Sequence, residues 1–298
     1  QRAIEVAGPQ GGVATNTQLL EAGLTRTDID SEVCAGRWHR LGRHTVGVLT
    51  PRPEGRARWL WAVWEAGPGA VLDGVTALLA HGLAHWEEAL VHVSVPGKNR
   101  VHRLPGVQVH RLRDVGRTIH AGVPRTAPEV AALRAAEWAT TDRQAATLLA
   151  MTVQQRLLPP AWLEQQWRTV RRSRRRAFLD LVIRDICAGA ESLGELDFAA
   201  MCRRRGLPEP TRQAVRHGPR GRVYLDVWWE PYGVNVEVDG VQHSRGLAPV
   251  EDALRHNHLT LRGGLSLRIP VLGLRLEADA FLDQVEAALR LGGYRRAA

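Results

Sequence analysis

The stretch that most restricts what this chain can fold into runs from Arg222 to Asp239. Arg222 to Trp229 and Val234 to Asp239 both read as strands, and Glu230-Pro231-Tyr232-Gly233 between them has turn composition. In the second strand Val234, Val236 and Val238 alternate with Asn235, Glu237 and Asp239. A period of two puts the valines on one face and the polar residues on the other, so the pair is antiparallel with one buried side. If residues 230–233 form the loop, Trp229 faces Val234 and Asp226 lies directly opposite Glu237. Like charges directly opposite are destabilising, and slipping the register by two still leaves both acids on one face. Two readings are open: a solvent-facing polar side, or a site for a hard cation such as Mg²⁺ or Mn²⁺, which takes oxygen ligands from one or two carboxylates.

Around this hairpin the order from residue 191 is helix, three strands, helix, strand, helix. Ser192-Leu193-Gly194-Glu195 has the form of a capping box at the head of a helix running to about Arg205, with Gly206 and Pro208 ending it. Arg212 to His217 reads as the first strand, Val250 to Arg262 as a helix, Leu265 to Ile269 as the last strand, and Glu277 to Leu291 as the closing helix.

The first fifty residues have a different pattern. Thr15 or Asn16 can cap a short helix ended by Gly23, and Thr25 or Thr27 can cap a second helix ended by Gly36. Arg37 to Val48 then alternates about Gly42, a hairpin signal. Helix, turn, helix and basic hairpin is the order of a winged helix, which seats one helix in a major groove and a wing on the backbone. Arg26, Arg37, Arg40 and Arg43 would contact phosphate, opposed by Asp28, Asp30 and Glu32 on the second helix. A DNA-binding module and a protein-interaction module both remain open.

Residues 51–125 alternate helical and strand patterns. Trp59, Leu60, Val63 and Trp64 have helical spacing, Thr76 to His81 reads as an apolar helix, and Val91–Val95 and Val107–His110 read as strands. Residues 126–190 read as helices interrupted by Arg171-Arg172-Ser173-Arg174-Arg175-Arg176, the densest basic run. The whole is α/β (α+β): a winged helix over 1–50, a small mixed α/β region over 51–125, a helical, Arg-rich connector over 126–190, and an αβββαβ domain over 191–298.

Charge sharpens the functional reading. Forty Lys and Arg oppose 31 acids, for a formal net charge of +9. The excess is concentrated at 163–222, with fourteen Arg against seven acids, while 223–298 carries eight Arg against ten acids. A positive band attracts polyanions, nucleic acid being the commonest; a solvated helical face is the alternative. Lys98 is the only lysine, so no lysine chemistry is available after it. Cys34, Cys187 and Cys202 are widely spaced, which argues against a disulfide framework or structural zinc and fits a reduced cytoplasm. No apolar run reaches the length of a membrane span. No basic-apolar-small leader opens the chain, and a start at Gln1 leaves prior processing or truncation open.

Two resemblances follow. Gly12-Val13-Ala14-Thr15 to Leu24, Gly36-Arg37-Trp38, and Ala77-Leu78 to His81-Gly82-Leu83 resemble the AbiEi-type antitoxin winged helix and the region after it. That implies a DNA-binding, autoregulatory module and a toxin protein as partner. Ser192–Phe198, Gly206–Pro210 with Gln213, Tyr224-Leu225-Asp226-Val227, and Val236-Glu237-Val238-Asp239-Gly240 with His243 resemble the PD-(D/E)XK nuclease superfamily, in its Vsr-like branch. The resemblance implies a restriction-endonuclease-like core and a metal-dependent endonuclease. Asp226 and Glu237 match its metal ligands, and Glu195 matches the helix acid that completes the set. Asp239 stands where the motif has its lysine, and His243, Asp252 and Arg255 match further polar positions. In place of the lysine three substitutes are conceivable: a second metal bound by Asp239, His243 as base, or fixed charge from Arg255, which stays protonated and cannot act as a base. The expected function is a Mg²⁺- or Mn²⁺-dependent DNA endonuclease with a winged helix for targeting; the alternative is a non-catalytic regulator, including a type IV antitoxin.

Overall fold

The computed structural model describes residues 1–188, 198–217, 223–239, 250, 253–254, 257 and 265–295. Among the described residues the architecture is mixed α/β, with three sheets. The chain divides into two compact units, Gln1–Arg134 and Ala135–Ala298.

The first unit begins with α1 (Arg2–Ala7), β1 (Val13–Thr15), α2 (Asn16–Glu21), α3 (Arg26–Cys34), β2 (His39–Arg40) and β3 (Thr45–Gly47). The strands form an antiparallel sheet in the order β1-β3-β2. Ala3, Ala7, Ala14, Leu19, Ile29, Val46 and Val48 make its buried core, flanked by Leu24, Val33 and Trp38. Both helices start as capping boxes. Thr15 Oγ1 accepts from the Gln18 N–H at 3.1 Å while Gln18 Oε1 accepts from the Thr15 N–H at 2.9 Å, and Thr25 with Asp28 repeats the arrangement. Asp28 is therefore a capping partner, and the Thr25 hydroxyl holds its carboxyl below the usual range.

A second layer follows: α4 (Gly55–Ala66), β4 (Val71–Leu72), α5 (Gly74–Ala80), β5 (Val91–Pro96), β6 (Val107–Leu112), β7 (Thr118–Ile119), β8 (Arg125–Thr126) and α6 (Pro128–Trp138). The sheet order is β6-β5-β4-β8-β7, with β5 parallel to β6 and β4 parallel to β8. α5 starts two residues before the sequence pattern places it, because Asp73 caps it by accepting from the Gly74 N–H at 2.7 Å. Asp73 is fully buried and also takes hydrogen bonds from Ser94, Thr126 and Arg134. A buried carboxylate is tolerated only when its oxygens are satisfied in this way.

The second unit has α7 (Asp142–Gln154), α8 (Pro160–Thr169), α9 (Arg176–Ala188), α10 (Phe198–Arg205), β9 (Arg212–His217), β10 (Val223–Trp229), β11 (Val234–Asp239), β12 (Ser266–Pro270), α11 (Val271–Leu276) and α12 (Ala278–Leu291). Val250, Ala253, Leu254 and Asn257 are helical. The sheet order is β12-β11-β10-β9; β9, β10 and β11 are antiparallel neighbours, and β12 runs parallel to β11. Leu225, Val227, Trp229, Val234, Val236, Val238, Leu267 and Ile269 occupy one buried face. Trp229 anchors it, edge-on to Phe198 and donating from Nε1 to the Pro208 carbonyl at 2.9 Å.

Candidate functional site

The opposite face of the second unit's sheet gathers the chemistry. Antiparallel pairing sets Trp229 against Val234 and Asp226 against Glu237. On the far side of β10, Arg212 pairs with Trp228, Ala214 with Asp226 and Arg216 with Tyr224; on the far side of β11, Arg268 pairs with Glu237. The period of two therefore aligns Arg212 and Arg216 with Asp226, and Arg268 with Glu237, on one face. The acids stand on the two central strands and the arginines on the two edges.

Side chains complete what the register sets up. Arg212 Nη2 donates to Asp226 Oδ2 at 3.3 Å, and Arg216 Nε lies 3.7 Å from the same oxygen. Arg268 Nε donates to Glu237 Oε2 at 3.3 Å. The Asp226 side chain is only 11% exposed, against 48% for Arg212. Two arginines thus face Asp226 and one faces Glu237. An opposed pair of carboxylates needs such a balance, because direct repulsion across the ladder is otherwise unfavourable.

The donor set of Asp226 and Glu237 suits Mg²⁺, which uses one or two carboxylates and keeps several waters. Asp239 shares their strand face, yet among the described residues no three His, Cys, Asp or Glu side chains form a group that could hold a metal. A metal at the opposed pair would be held by Asp226 and Glu237. Glu195, His243, Asp252 and Arg255 lie outside the described residues, as does the Ser192–Glu195 capping box.

The first unit places its expected phosphate contacts on one hairpin and helix, where they meet the acids of α3. Arg37 binds Glu32 through two hydrogen bonds, Nε to Oε2 at 2.6 Å and Nη2 to Oε1 at 2.8 Å, and the guanidinium holds the Glu32 carboxyl below its ordinary range. Arg40 pairs with Asp30. Arg26 opens α3. Arg43 is held by its backbone: its N–H donates to Glu65 Oε2 at 2.9 Å, while Glu65 Oε1 accepts from the His44 N–H at 2.8 Å and from Thr45 Oγ1 at 2.7 Å. Trp61, one helical turn earlier on α4, donates from Nε1 to the Leu41 carbonyl at 3.0 Å. At Gly42 a Cβ would sit 2.3 Å from the Glu65 carboxyl carbon, so only glycine lets the turn close on this carboxylate.

The basic run also divides. Arg171, Arg172 and Arg174 are exposed. Arg175 bonds Asp142 at 2.8 Å and the Glu137 carbonyl at 3.1 Å, and Arg176 lies over the Trp167 ring at 4.4 Å.

Sequence reasoning missed Arg212, Arg216, Arg268 and Glu65. Arg212 and Arg216 stand four apart on β9 and so share a face, while Arg268 is single on β12; which acids they meet depends on strand order. Glu65 stood as a single acid at the end of an apolar helix, four residues after Trp61 and hence on the same side.

Among the described residues no helix is long and apolar enough to cross a membrane. No protein-family model matches the chain, and no curated protein matches it. A solved structure similar to it is the RV2827C protein from Mycobacterium tuberculosis, at 17% sequence identity and a TM-score of 0.38, covering 62% of this chain and 74% of that one.

Proposed function

We propose that the second unit acts on nucleic-acid phosphodiesters, as a metal-dependent endonuclease whose working face is the Asp226–Glu237 side of its sheet, and that the winged-helix segment contributes DNA targeting or autoregulation. The observation carrying this reading is the opposed carboxylate pair with guanidiniums on both flanks, a layout that offers oxygen ligands and phosphate-binding cations side by side. Asp226 and Glu237 would hold the ion. A bound divalent cation supplies a water of lowered pKa and neutralises charge at the phosphoryl group. Arg212, Arg216 and Arg268 supply fixed positive charge beside the reacting phosphate in place of the superfamily's lysine. None of the three can take a proton from water, so they orient and stabilise without serving as bases.

The test is incubation with supercoiled plasmid and Mg²⁺ or Mn²⁺, with the parent chain beside Asp226→Ala and Glu237→Ala. Cleavage lost in both variants supports the proposal. A second reading, a non-catalytic DNA-binding regulator, is favoured by Asp239 at the lysine position and by carboxylates already paired to arginine. Absence of cleavage with either metal, with binding to the DNA upstream of its own gene unchanged in both variants, would decide for the regulator.

A further inference from the structure

The opposed acids and their arginines differ in how firmly they are placed. Asp226 and Glu237 are fixed on central strands, with side chains 11% and 22% exposed. Arg212, Arg216 and Arg268 come from edge strands, and their side chains are 48%, 47% and 56% exposed. Their contacts to the acids, at 3.3, 3.7 and 3.3 Å, are longer than the roughly 2.7–2.9 Å of a tight charge-assisted hydrogen bond. Long, half-solvated side chains at such distances exchange partners at little cost. The acid pair favours a nearby cation, however, because two carboxylates facing each other repel. The guanidiniums and a divalent ion are alternative sources of that positive charge.

We infer that Arg212, Arg216 and Arg268 are built-in counter-ions that hold the acid pair against divalent cations until phosphate oxygens draw the guanidiniums away. The inference rests on the metal-site reading above. With the arginines on the acids, an incoming cation must displace them and meets their repulsion. With the arginines on phosphate, the carboxylates are released and their mutual repulsion favours the ion. Cation and phosphate then bind cooperatively, and by linkage each raises the affinity of the other by the same factor. The arrangement ties metal loading to the presence of a nucleic-acid backbone, which limits idle metal binding.

The experiment is a Mn²⁺ titration of the full chain, followed by the EPR signal of free Mn²⁺, with and without a short DNA duplex. In the absence of duplex, Arg268→Gln and the double variant Arg212→Gln/Arg216→Gln should each bind Mn²⁺ more tightly than the parent, by on the order of tenfold, a usual size for coupling between sites. Arg268→Lys, which keeps the charge, should bind as the parent does. Duplex should raise the parent's Mn²⁺ affinity by a similar factor and the glutamine variants' much less. Adding Asp226→Asn to the Arg268→Gln background should abolish the binding, which places the ion at the pair. If the parent binds Mn²⁺ and the glutamine variants bind it no more tightly, or if duplex leaves the parent's affinity unchanged, the counter-ion role is overturned while the metal site stands. If neither the parent nor any arginine variant binds Mn²⁺, the metal-site reading falls and takes the inference with it.

Discussion

Asp226 on β10 and Glu237 on β11 are direct cross-strand partners, and each is held by an arginine from the strand beyond it, Asp226 by Arg212 and Glu237 by Arg268. Two like charges that would repel across the ladder are thereby flanked on both sides, in a row of cation, anion, anion, cation. The row is a consequence of register: pairing of all four strands at this phase puts every one of these charged side chains on the face opposite the valine and tryptophan core.

Stability should report this directly. Replacing Arg212, Arg216 and Arg268 together by Gln should cost about 1 kcal/mol, since half-exposed pairs contribute little individually and the opposed acids lose their balance. Adding Asp226→Asn and Glu237→Gln should restore most of it, because the repulsion is then gone. Urea unfolding followed by tryptophan fluorescence checks both, and a quintuple variant less stable than the triple would contradict the row.

The register itself was legible in the sequence. The Glu230–Gly233 loop and the alternation of Val234, Val236 and Val238 leave little freedom in how β10 meets β11. The arginine partners were not legible, because their place depends on strand order. That β12 lies parallel beside β11, bringing Arg268 to Glu237, is a matter of tertiary pairing, which local alternation does not encode. The acids of α3 show the same limit. In the sequence Asp30 and Glu32 read as repulsive neighbours of phosphate, and their actual partners, Arg40 and Arg37, come from beyond the helix.

Those α3 pairs lead to a second expectation. Asp30→Asn with Glu32→Gln removes two acids and releases Arg40 and Arg37 for phosphate. Binding to a DNA duplex should tighten severalfold. Its dependence on salt should also steepen, by up to about 0.9 in the log–log slope for each additional phosphate neutralised. Fluorescence anisotropy across a salt series reads both quantities; unchanged affinity and slope would mean that this surface does not meet DNA.

Glu65→Ala should be costly. The carboxylate is fully buried and satisfies two backbone N–H groups and a hydroxyl of the hairpin turn. Leaving them unpaired should destabilise the first unit by about 2–3 kcal/mol. Amide exchange at Arg43 and His44 should accelerate selectively, and uniform exchange across the unit would show that Glu65 does not clamp this turn.

The first unit should also lose stability in acid. His92 Nδ1 and His110 Nε2 are 3.0 Å apart in stacked rings. Burial pushes both imidazoles down, and His110, with His92 and Arg134 nearby, falls to about 4 from 6.5. Folded histidine then binds fewer protons than unfolded histidine between these values, so stability rises with pH across that window. The histidine contribution should decline as pH falls from 6.5 towards 4 and level off below, while Asp28 and Glu32, whose carboxyls are held below their usual range, lose their own contribution at lower pH. Melting temperature against pH checks the trend, and His110→Gln should flatten it.

If the Asp226–Glu237 face performs phosphodiester cleavage, removing one of its acids must remove the activity. The most direct measurement is the rate of Mg²⁺-dependent plasmid nicking by the parent chain and by Asp226→Asn, purified identically. Cleavage by the parent and a loss on the order of a hundredfold or more in the variant are expected, as when a metal ligand is removed from such a site. Equal rates in the two proteins, or no cleavage by the parent with either Mg²⁺ or Mn²⁺, would contradict this role.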